Sequence, residues 1–422
     1  MKSRPDSEPK SRIPRNLLAV SLGSFFTDIS SEMMVHLLPL FLTNVLGAKT
    51  AVVGLIEGVA ETTASLTRLF SGWLSDKLGK RKGLTVLGYS ISAVAKPLFL
   101  LATTWPLVLV LRFADRLGKG VRTAPRDALV ADSVPKENRG FGFGLHRAAD
   151  TAGATVGLAI AAAVTYAAGP AAISLRADTF RHIIWLSILP AALGVVSLIL
   201  LARDIPAAPK AKSAVQPTPP GRMAPGKRLS PRIRGFFVVA ALFTLGNSSD
   251  SFLVLRAQDR GLSVFHVMLA IFVFNLVYAI ASTPAGLHSD KVGRSKVLVY
   301  GWLTYGLVYL GFAMAFASWH IWVLYALYGL YYAMVEGTAR AYVADLSPAE
   351  SRGTAYGIYN TSAGIMAFPA SLIGGILWQG AFGWPGLGAR APFFFGSGMA
   401  IVAVLLLIFW LPRLPVEQYR KG

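Results

Sequence analysis

The side chains best placed to do chemistry are concentrated between positions 112 and 126. Arg112, Asp115 together with Arg116, Lys119, Arg122 and Arg126 succeed one another at steps of three or four residues, which sets them along one face of a single helix. At about 1.5 Å per residue the row climbs some 21 Å, roughly two-thirds of a hydrocarbon core about 30 Å thick. Guanidinium groups bind anionic partners as planar forks and an ammonium group does so as a point charge, so the row could hold carboxylates or phosphates. Groups able to take up and release protons lie on other segments. Asp28, Glu32 and His36 are spaced i, i+4, i+8; Glu57 and Glu61 are i, i+4; His146, Arg147 and Asp150 lie close together; and Asp250 follows Asn247, Ser248 and Ser249. Burial raises a carboxyl group's proton affinity and a nearby arginine lowers it, so rearranging such a set moves protons.

Within the first half of the chain, the acids Asp28, Glu32, Glu57, Glu61, Asp115, Asp127 and Asp150 nearly balance the bases Arg68, Lys96, Arg112, Arg116, Lys119, Arg122, Arg126 and Arg147. One reading is mutual ion pairing with little net field. The other is a cavity beside the cation-rich helix that keeps a positive potential, because the cations share one helix while the acids are spread over several. The second half offers Asp250, Arg256, Glu336 and Arg340, with amides and phenols such as Asn275, Tyr278, Tyr328, Tyr332, Tyr359 and Asn360. Other chemistry is not expected. The absence of cysteine excludes disulfides, thiolate metal centres, iron–sulfur clusters and thiol catalysis. His36, His146, His182, His266, His288 and His320 show no metal-ligand spacing, and no nucleophile–base arrangement stands out. The stretch Gly221 to Lys227 imitates a phosphate loop but continues with Arg228, among prolines and with no strand before it. No metal, no cofactor and no enzymatic activity are therefore expected.

The elements that must position these residues are membrane spans. Of 422 residues, 54% are hydrophobic and 15% charged, with a mean hydropathy of +0.53. Twelve helices of about 20 residues would use roughly 240 residues, which leaves room only for short loops. Apolar windows fall near 16–44, 51–75, 83–103, 106–130, 139–168, 178–202, 235–258, 263–288, 297–317, 320–344, 352–380 and 391–412. Residues 1–15 read as a basic tail, 203–234 as a Pro-rich linker and 413–422 as a basic C-terminal tail, so six-span units occupy 16–202 and 235–412. The formal net charge of +20 comes from cations in the tails, the linker and the clusters at Lys77–Lys82 and Lys291–Lys296, all on one side of a twelve-span arrangement. Cations gathered on one face suit cytoplasmic loops beside anionic lipid, with both termini in the cytoplasm, rather than a nucleic-acid partner.

The two halves repeat. Gly72-Trp-Leu-Ser-Asp76-Lys-Leu-Gly79-Lys80-Arg81 returns as Gly286-Leu-His-Ser-Asp290-Lys-Val-Gly293-Arg294-Ser295, an offset of 286 − 72 = 214. Val130-Ala-Asp132-Ser-Val-Pro135-Lys-Glu137-Asn-Arg139-Gly140 returns as Val343-Ala-Asp345-Leu-Ser-Pro348-Ala-Glu350-Ser-Arg352-Gly353, an offset of 345 − 132 = 213. Two blocks at nearly one offset identify an internal repeat. Gly72 and Gly286 are expected to permit close helix approach, and Asp76 and Asp290 to accept hydrogen bonds from the N-terminus of a neighbouring helix.

At these blocks the chain resembles the major facilitator superfamily, whose pattern Gly-x-x-x-Asp-[Arg/Lys]-x-Gly-[Arg/Lys]-[Arg/Lys] is complete in the first half and departs only at Ser295 in the second. The resemblance implies an all-α polytopic membrane protein with twelve transmembrane helices in two pseudo-symmetric six-helix bundles. It implies alternating access around a substrate site near the bilayer midplane. It also implies that Asp76, Lys80, Arg81, Asp132 and Arg139, with Asp290, Arg294, Asp345 and Arg352, belong to a charge relay that latches the cytoplasmic side. Arg112 falls where many members carry an arginine in Arg-x-x-Gln-Gly linked to proton coupling, but Asp115 and Arg116 replace the last two residues. The fifth-helix antiporter pattern Gly-x-x-x-Gly-Pro is present as Gly153 and Gly157 but has Leu158 for the proline.

The expectation is a monomeric, proton-coupled secondary transporter of a bacterial inner membrane, with Na⁺ as an alternative coupling ion. Its cargo would be a small anionic or zwitterionic solute. Arg112, Arg116, Lys119, Arg122 and Arg147 would bind it together with Asn275, Tyr278, Tyr332 and Asn360. Asp28, Glu32, His36, Glu57, Glu61, Asp115, His146, Asp150 and Asp250 would carry protons. The alternative is a proton-driven exporter of lipophilic cations that uses the carboxylates as its contacts.

Overall fold

The computed structural model describes residues 13–135, 138–204, 229–348 and 351–415. Among these, all regular structure is helical, in twelve long helices: α1 Arg15–Val45, α2 Thr50–Leu78, α3 Lys82–Leu101, α4 Trp105–Ser133, α5 Arg139–Ala168, α6 Ala177–Leu201, α7 Pro231–Asp259, α8 Val264–Val292, α9 Arg294–Met314, α10 Ser318–Leu346, α11 Arg352–Gln379 and α12 Ala391–Arg413. Nine of them are long and apolar enough to cross a membrane by length and composition. The others, α2, α4 and α10, are as long but are diluted by charge or by Tyr, Trp and His. Their ends lie within a few residues of the apolar windows. The clearest difference is at α7, which starts at Pro231 inside the stretch read as linker, because Ser230 caps it by accepting the Ile233 N–H at 3.4 Å and a first-turn proline suits a helix start. Most of the N-terminal tail (1–12) and of the linker (205–228), and residues 416–422, lie outside the described residues.

Neighbour relations repeat between the halves. In the first bundle α1 packs on α5 and α6, and α4 packs on α2 and α3; in the second α7 packs on α11 and α12, and α10 on α8 and α9. Each relation maps onto its counterpart by adding six to the helix number. The bundles meet along α2 with α11 and along α5 with α8, which exchange under the same operation. The α2–α11 seam is tight because glycines lie in it: a Cβ on Gly54 would run into the Ser371 carbonyl, and one on Gly375 into that of Thr50.

The basic turns α2–α3 and α8–α9 define one side of the molecule. Gly79 closes α2 at φ +65° and Gly293 closes α8 at φ +98°, backbone conformations that a residue with a Cβ adopts at a cost. Both repeat motifs require their second glycine for this reason. Their first glycines differ. A Cβ on Gly72 would press on Ala124 at 3.3 Å, whereas one on Gly286 would meet nothing, because α8 there borders a cavity instead of a helix; the close approach expected at Gly286 is not present.

On the opposite side the bundles are sealed by polar contacts. Asn44 and Gln258 exchange amide hydrogen bonds of 3.1 and 2.7 Å, the Ser263 hydroxyl donates to the Pro170 carbonyl at 2.6 Å, and Thr50 donates its N–H to Gln379 at 2.8 Å and its hydroxyl to Gly375 at 2.9 Å.

Candidate functional site: a charged cavity between the bundles

The row on α4 forms as its spacing predicts, and α4 runs unbroken through Pro125. Arg112, only 2% exposed, bonds Glu57 of α2 at 3.0 Å and approaches Asp115 at 3.6 Å. Arg116 meets Glu61 at 3.3 Å. Arg122 lies over the Tyr89 ring of α3, 4.4 Å from its centroid, and donates to Ser92 at 2.9 Å. Arg126 is held by Asp127 at 3.0 Å. Lys119 is exposed and, among the described residues, makes no ion pair. Ion pairing thus accounts for three of the five cations. Behind the row, Lys96 of α3 donates to Ser30 at 2.6 Å and Ser31 at 3.0 Å, and a void of about 40 Å³ lies among Asp28, Glu32, Lys96, Asp115 and Lys119, enough for about one water.

In front of the row lies a cavity of about 400 Å³ shared by both bundles. The first bundle lines it with Glu32, His36, Glu57, Glu61, Arg112, Arg116 and Lys119. Glu32 and His36 are joined at 2.9 Å, so α1 contributes a pair as well. The second bundle lines it with hydroxyls and amides from a break in α7 and with Asp250, Tyr332 and Ser371. The break, at Asn247–Asp250 within a span read as continuous, leaves backbone groups that distant helices satisfy: Tyr305 donates to the Gly246 carbonyl at 3.0 Å, and the Ser249 N–H donates to Ser371 at 3.2 Å. Irregular backbone at membrane depth is tolerated where protein or a cavity covers it. Asp250 is exposed to the cavity; Tyr328 donates to one of its oxygens at 2.6 Å and Tyr332 to the other at 3.4 Å.

A second cavity of about 420 Å³ lies nearer the basic side, and Tyr332 borders both. There Arg147 of α5 reaches across to Glu336 of α10 at 3.7 Å and donates to the Tyr278 hydroxyl of α8 at 3.4 Å, while Tyr278 donates to Glu336. His146 is 4% exposed, stands 3.7 Å from Asp150, and has no hydrogen-bond partner on either ring nitrogen among the described residues.

Not every expected residue joins these cavities. Asn275 bonds the Ile271 carbonyl in its own helix at 3.1 Å, and Asn360 is exposed; neither lines either cavity, although each shares a helix face with residues that do, Ser282 and Gly286 on α8 and Ala367 and Ser371 on α11, because it lies about two turns away along the helix. At the basic turn of the first bundle it is Arg81 that joins Asp76 at 3.4 Å and Asp132 at 2.6 Å; Lys80 makes no ion pair among the described residues. In the second bundle Arg294 joins Asp290 at 3.3 Å and Asp345 at 3.0 Å. Arg139 donates to the Ala131 carbonyl at 3.2 Å, and Arg352 is exposed at the start of α11. The helix N-terminus expected to engage Asp76 is capped by another residue: Asp204, just beyond α6, accepts the N–H groups of Arg81 at 2.9 Å and Lys82 at 2.8 Å. Sequence reading had no signal for Asp204 or for the Tyr89 platform, both supplied by helices far away in the chain.

The sequence profile of the Major Facilitator Superfamily matches residues 20–263 and 235–422. An uncharacterised MFS-type transporter of Methanocaldococcus jannaschii is 35% identical over 412 residues, which cover 96% of this chain and 97% of that protein. Multidrug resistance protein 2 of Bacillus subtilis is 32% identical over 153 residues, 35% of this chain and 36% of that protein. The crystal structure of the nucleoside transporter NupG superposes with a TM-score of 0.75, covering 95% of this chain and all of its own, at 13% identity, a likeness of fold.

Proposed function

The chain belongs to the major facilitator superfamily, a family of membrane transporters and not of enzymes, and we propose that it moves a small polar solute, anionic or zwitterionic, by proton-coupled alternating access. The observation that carries this reading is Lys119: a cation exposed in a cavity between the bundles, beside two arginines already occupied by carboxylates. An anionic group entering the cavity meets Lys119 first and can then compete with Glu61 for Arg116. Glu61, displaced from its arginine, gains proton affinity, so substrate binding and protonation are linked. Glu57, buried against Arg112, would keep its place and hold α2 to α4.

By the positive-inside rule the basic side faces the cytoplasm. The sealed opposite face and the cavity on the basic side then correspond to an inward-facing state. In the outward-facing state the Asn44–Gln258 and Thr50–Gln379 contacts would part, while the basic turns would draw together about the Arg147–Glu336 bridge that already links the bundles.

Flux into proteoliposomes under an imposed pH gradient, combined with a charge-sorted ligand panel in thermal unfolding, tests the proposal. A ligand at 100 times its Kd adds about 2.7 kcal/mol of stability. Stabilisation by carboxylates or amino acids that disappears in Arg116→Gln supports it; wild-type transport with unchanged apparent affinity in that variant removes Arg116 from the site. Export of lipophilic cations is the second reading, favoured by Asp250 open to the cavity and by the partial similarity to Multidrug resistance protein 2. Stabilisation by such cations alone would select it.

A further inference from the structure

We infer that the central cavity is built for a zwitterion held end to end, its anionic group on Lys119 and its ammonium group on Asp250. This deepens the proposed function and rests on the cavity being the transport site. Most charges on the cavity wall are already engaged: Glu57 with Arg112, Glu61 with Arg116, and Glu32 in a hydrogen bond with His36. Two are not. Lys119 and Asp250 are the two exposed charged side chains of the lining, and neither makes an ion pair among the described residues. They come from opposite bundles, one from α4 and the other from the break in α7.

Each end is shaped for its partner. The Asp250 carboxylate is gripped by the hydroxyls of Tyr328 and Tyr332, one on each oxygen, and a carboxylate oxygen accepts more than one hydrogen bond. Lone pairs therefore remain for an ammonium group. The Tyr332 ring borders the cavity and offers a π face to the same cation. Lys119 supplies up to three donors to the anionic end, with Arg116 beside it. A volume of about 400 Å³ equals roughly a dozen waters at about 30 Å³ each, the scale of an amino acid or a small dipeptide. Beyond its ionisable side chains and the Tyr332 ring the lining is hydroxyl and amide, with only Val35, Pro39, Val254 and Ala367 as aliphatic contacts. A long apolar side chain has little to pack against.

The arrangement also selects against single charges. A simple anion would neutralise Lys119 and leave Asp250 without a counter-charge when the cavity closes, and a simple cation would do the reverse; a buried charge without a partner is costly. A solute carrying both charges bridges the bundles and favours the state in which they approach, since a ligand shifts an equilibrium only through what it contacts differently in the two states.

The test measures binding to the purified full chain by thermal unfolding and calorimetry, with α-, β- and γ-amino acids and dipeptides as probes, each beside its N-acetyl and its carboxamide derivative. At least one zwitterion is expected to bind 10-fold or more tightly than either derivative. Asp250→Asn should bring that zwitterion to within 3-fold of its N-acetyl derivative, and Lys119→Gln to within 3-fold of its carboxamide. Tyr332→Phe, which keeps the carboxylate, should retain the preference. Equal binding of a zwitterion and its N-acetyl derivative by the wild type overturns the inference, as does equal weakening of both by Asp250→Asn, which would make Asp250 a brace for the α7 break. No binding by any zwitterion also overturns it. In that last case, N-acetyl anions that bind and are carried leave the broader transport reading standing, whereas stabilisation by lipophilic cations alone removes both. Should Asp250→Asn not fold, the wild-type comparison and Lys119→Gln still decide.

Discussion

Inside the first bundle, helices are joined by charge: Arg112 to Glu57, Arg116 to Glu61, Arg122 onto the face of Tyr89, and Lys96 to the hydroxyls of Ser30 and Ser31. Inside the second, the corresponding helices are joined by rings. Phe243 of α7 stacks on Trp302 of α9 at 4.6 Å, Tyr305 of α9 meets Tyr331 of α10 at 5.0 Å, and Phe274 of α8 meets Tyr328 of α10 at 5.5 Å, around the carboxylate of Asp250. Ring stacks hold no formal charge to exchange with a ligand. Ion pairs can exchange partners with an entering solute. One scaffold, used twice, thus yields a responsive wall and a fixed one, and the ligand is read between them.

The largest effect should come from cutting the most buried pair. Arg112→Met leaves Glu57, 4% exposed, without its partner, and removal of one member of a buried pair costs about 3–5 kcal/mol. Thermal unfolding in detergent should show this loss, and Glu57→Gln added to Arg112→Met should recover much of it. If the double variant is no better than the single one, the pair does not hold α2 to α4. In the second bundle the matching cut is Tyr328→Phe, which removes a 2.6 Å hydrogen bond to Asp250. Hydrogen bonds to charged groups are worth about 1.5–3 kcal/mol, so a smaller loss of stability is expected, at the low end because Tyr332 remains as a second donor. A loss as large as that of Arg112→Met would show that the ring-lined wall depends on its one charge as much as the first bundle does on its pairs.

The contrast between the bundles is partly legible in the sequence. Apolar windows located the twelve helices because lipid demands continuous hydrophobic length, and the steps from Arg112 to Arg126 located the charged face because helical periodicity is fixed by the backbone. Pairing was not legible. Whether Arg116 or Lys119 finds a carboxylate depends on the rotation of α2 about its axis, which places Glu61 beside one and not the other. The break at Asn247–Asp250 was equally hidden, since its carbonyls and N–H groups are satisfied by Tyr305, Tyr309 and Ser371, more than fifty positions away. Asn275 and Asn360 show the converse limit: residue type and helix face both pointed to a cavity, and their level along α8 and α11, about two turns from the lining residues Ser282 and Ala367, left them out of it.

Next in size is the loss of function from the unmatched cation. Lys119→Gln should lower apparent affinity for an anionic or zwitterionic solute at least 10-fold, about 1.4 kcal/mol, while the unfolding midpoint stays near that of the wild type because no pair is broken. Lys119→Arg should restore part of the binding. A drop in stability comparable to that of Arg112→Met would mean that Lys119 is structural, and the distinction drawn here between matched and unmatched cations on α4 would fail.

The smallest expected effect sharpens the comparison at the repeated turns. Both bundles clamp two aspartates with one arginine, but the first uses the tenth position of its block, Arg81, and the second the ninth, Arg294. Motif alignment equates Arg294 with Lys80 and Arg81 with Ser295, so the clamps are one residue out of register. In the first bundle Asp204 accepts the N–H groups of Arg81 and Lys82, which would fix the start of α3 and direct Arg81 between Asp76 and Asp132. These groups are partly exposed, and such pairs contribute about 0.2–1 kcal/mol. Arg81→Ala should therefore lower stability by a few tenths to one kcal/mol and Lys80→Ala by less, whereas in the second bundle Arg294→Ala should be the costly change and Ser295→Ala neutral. Adding Asp204→Ala to each first-bundle variant tests the cause. If Asp204 sets the register, its loss makes Lys80 and Arg81 equivalent; if Arg81 stays dominant, the register is set by the packing of α3 itself.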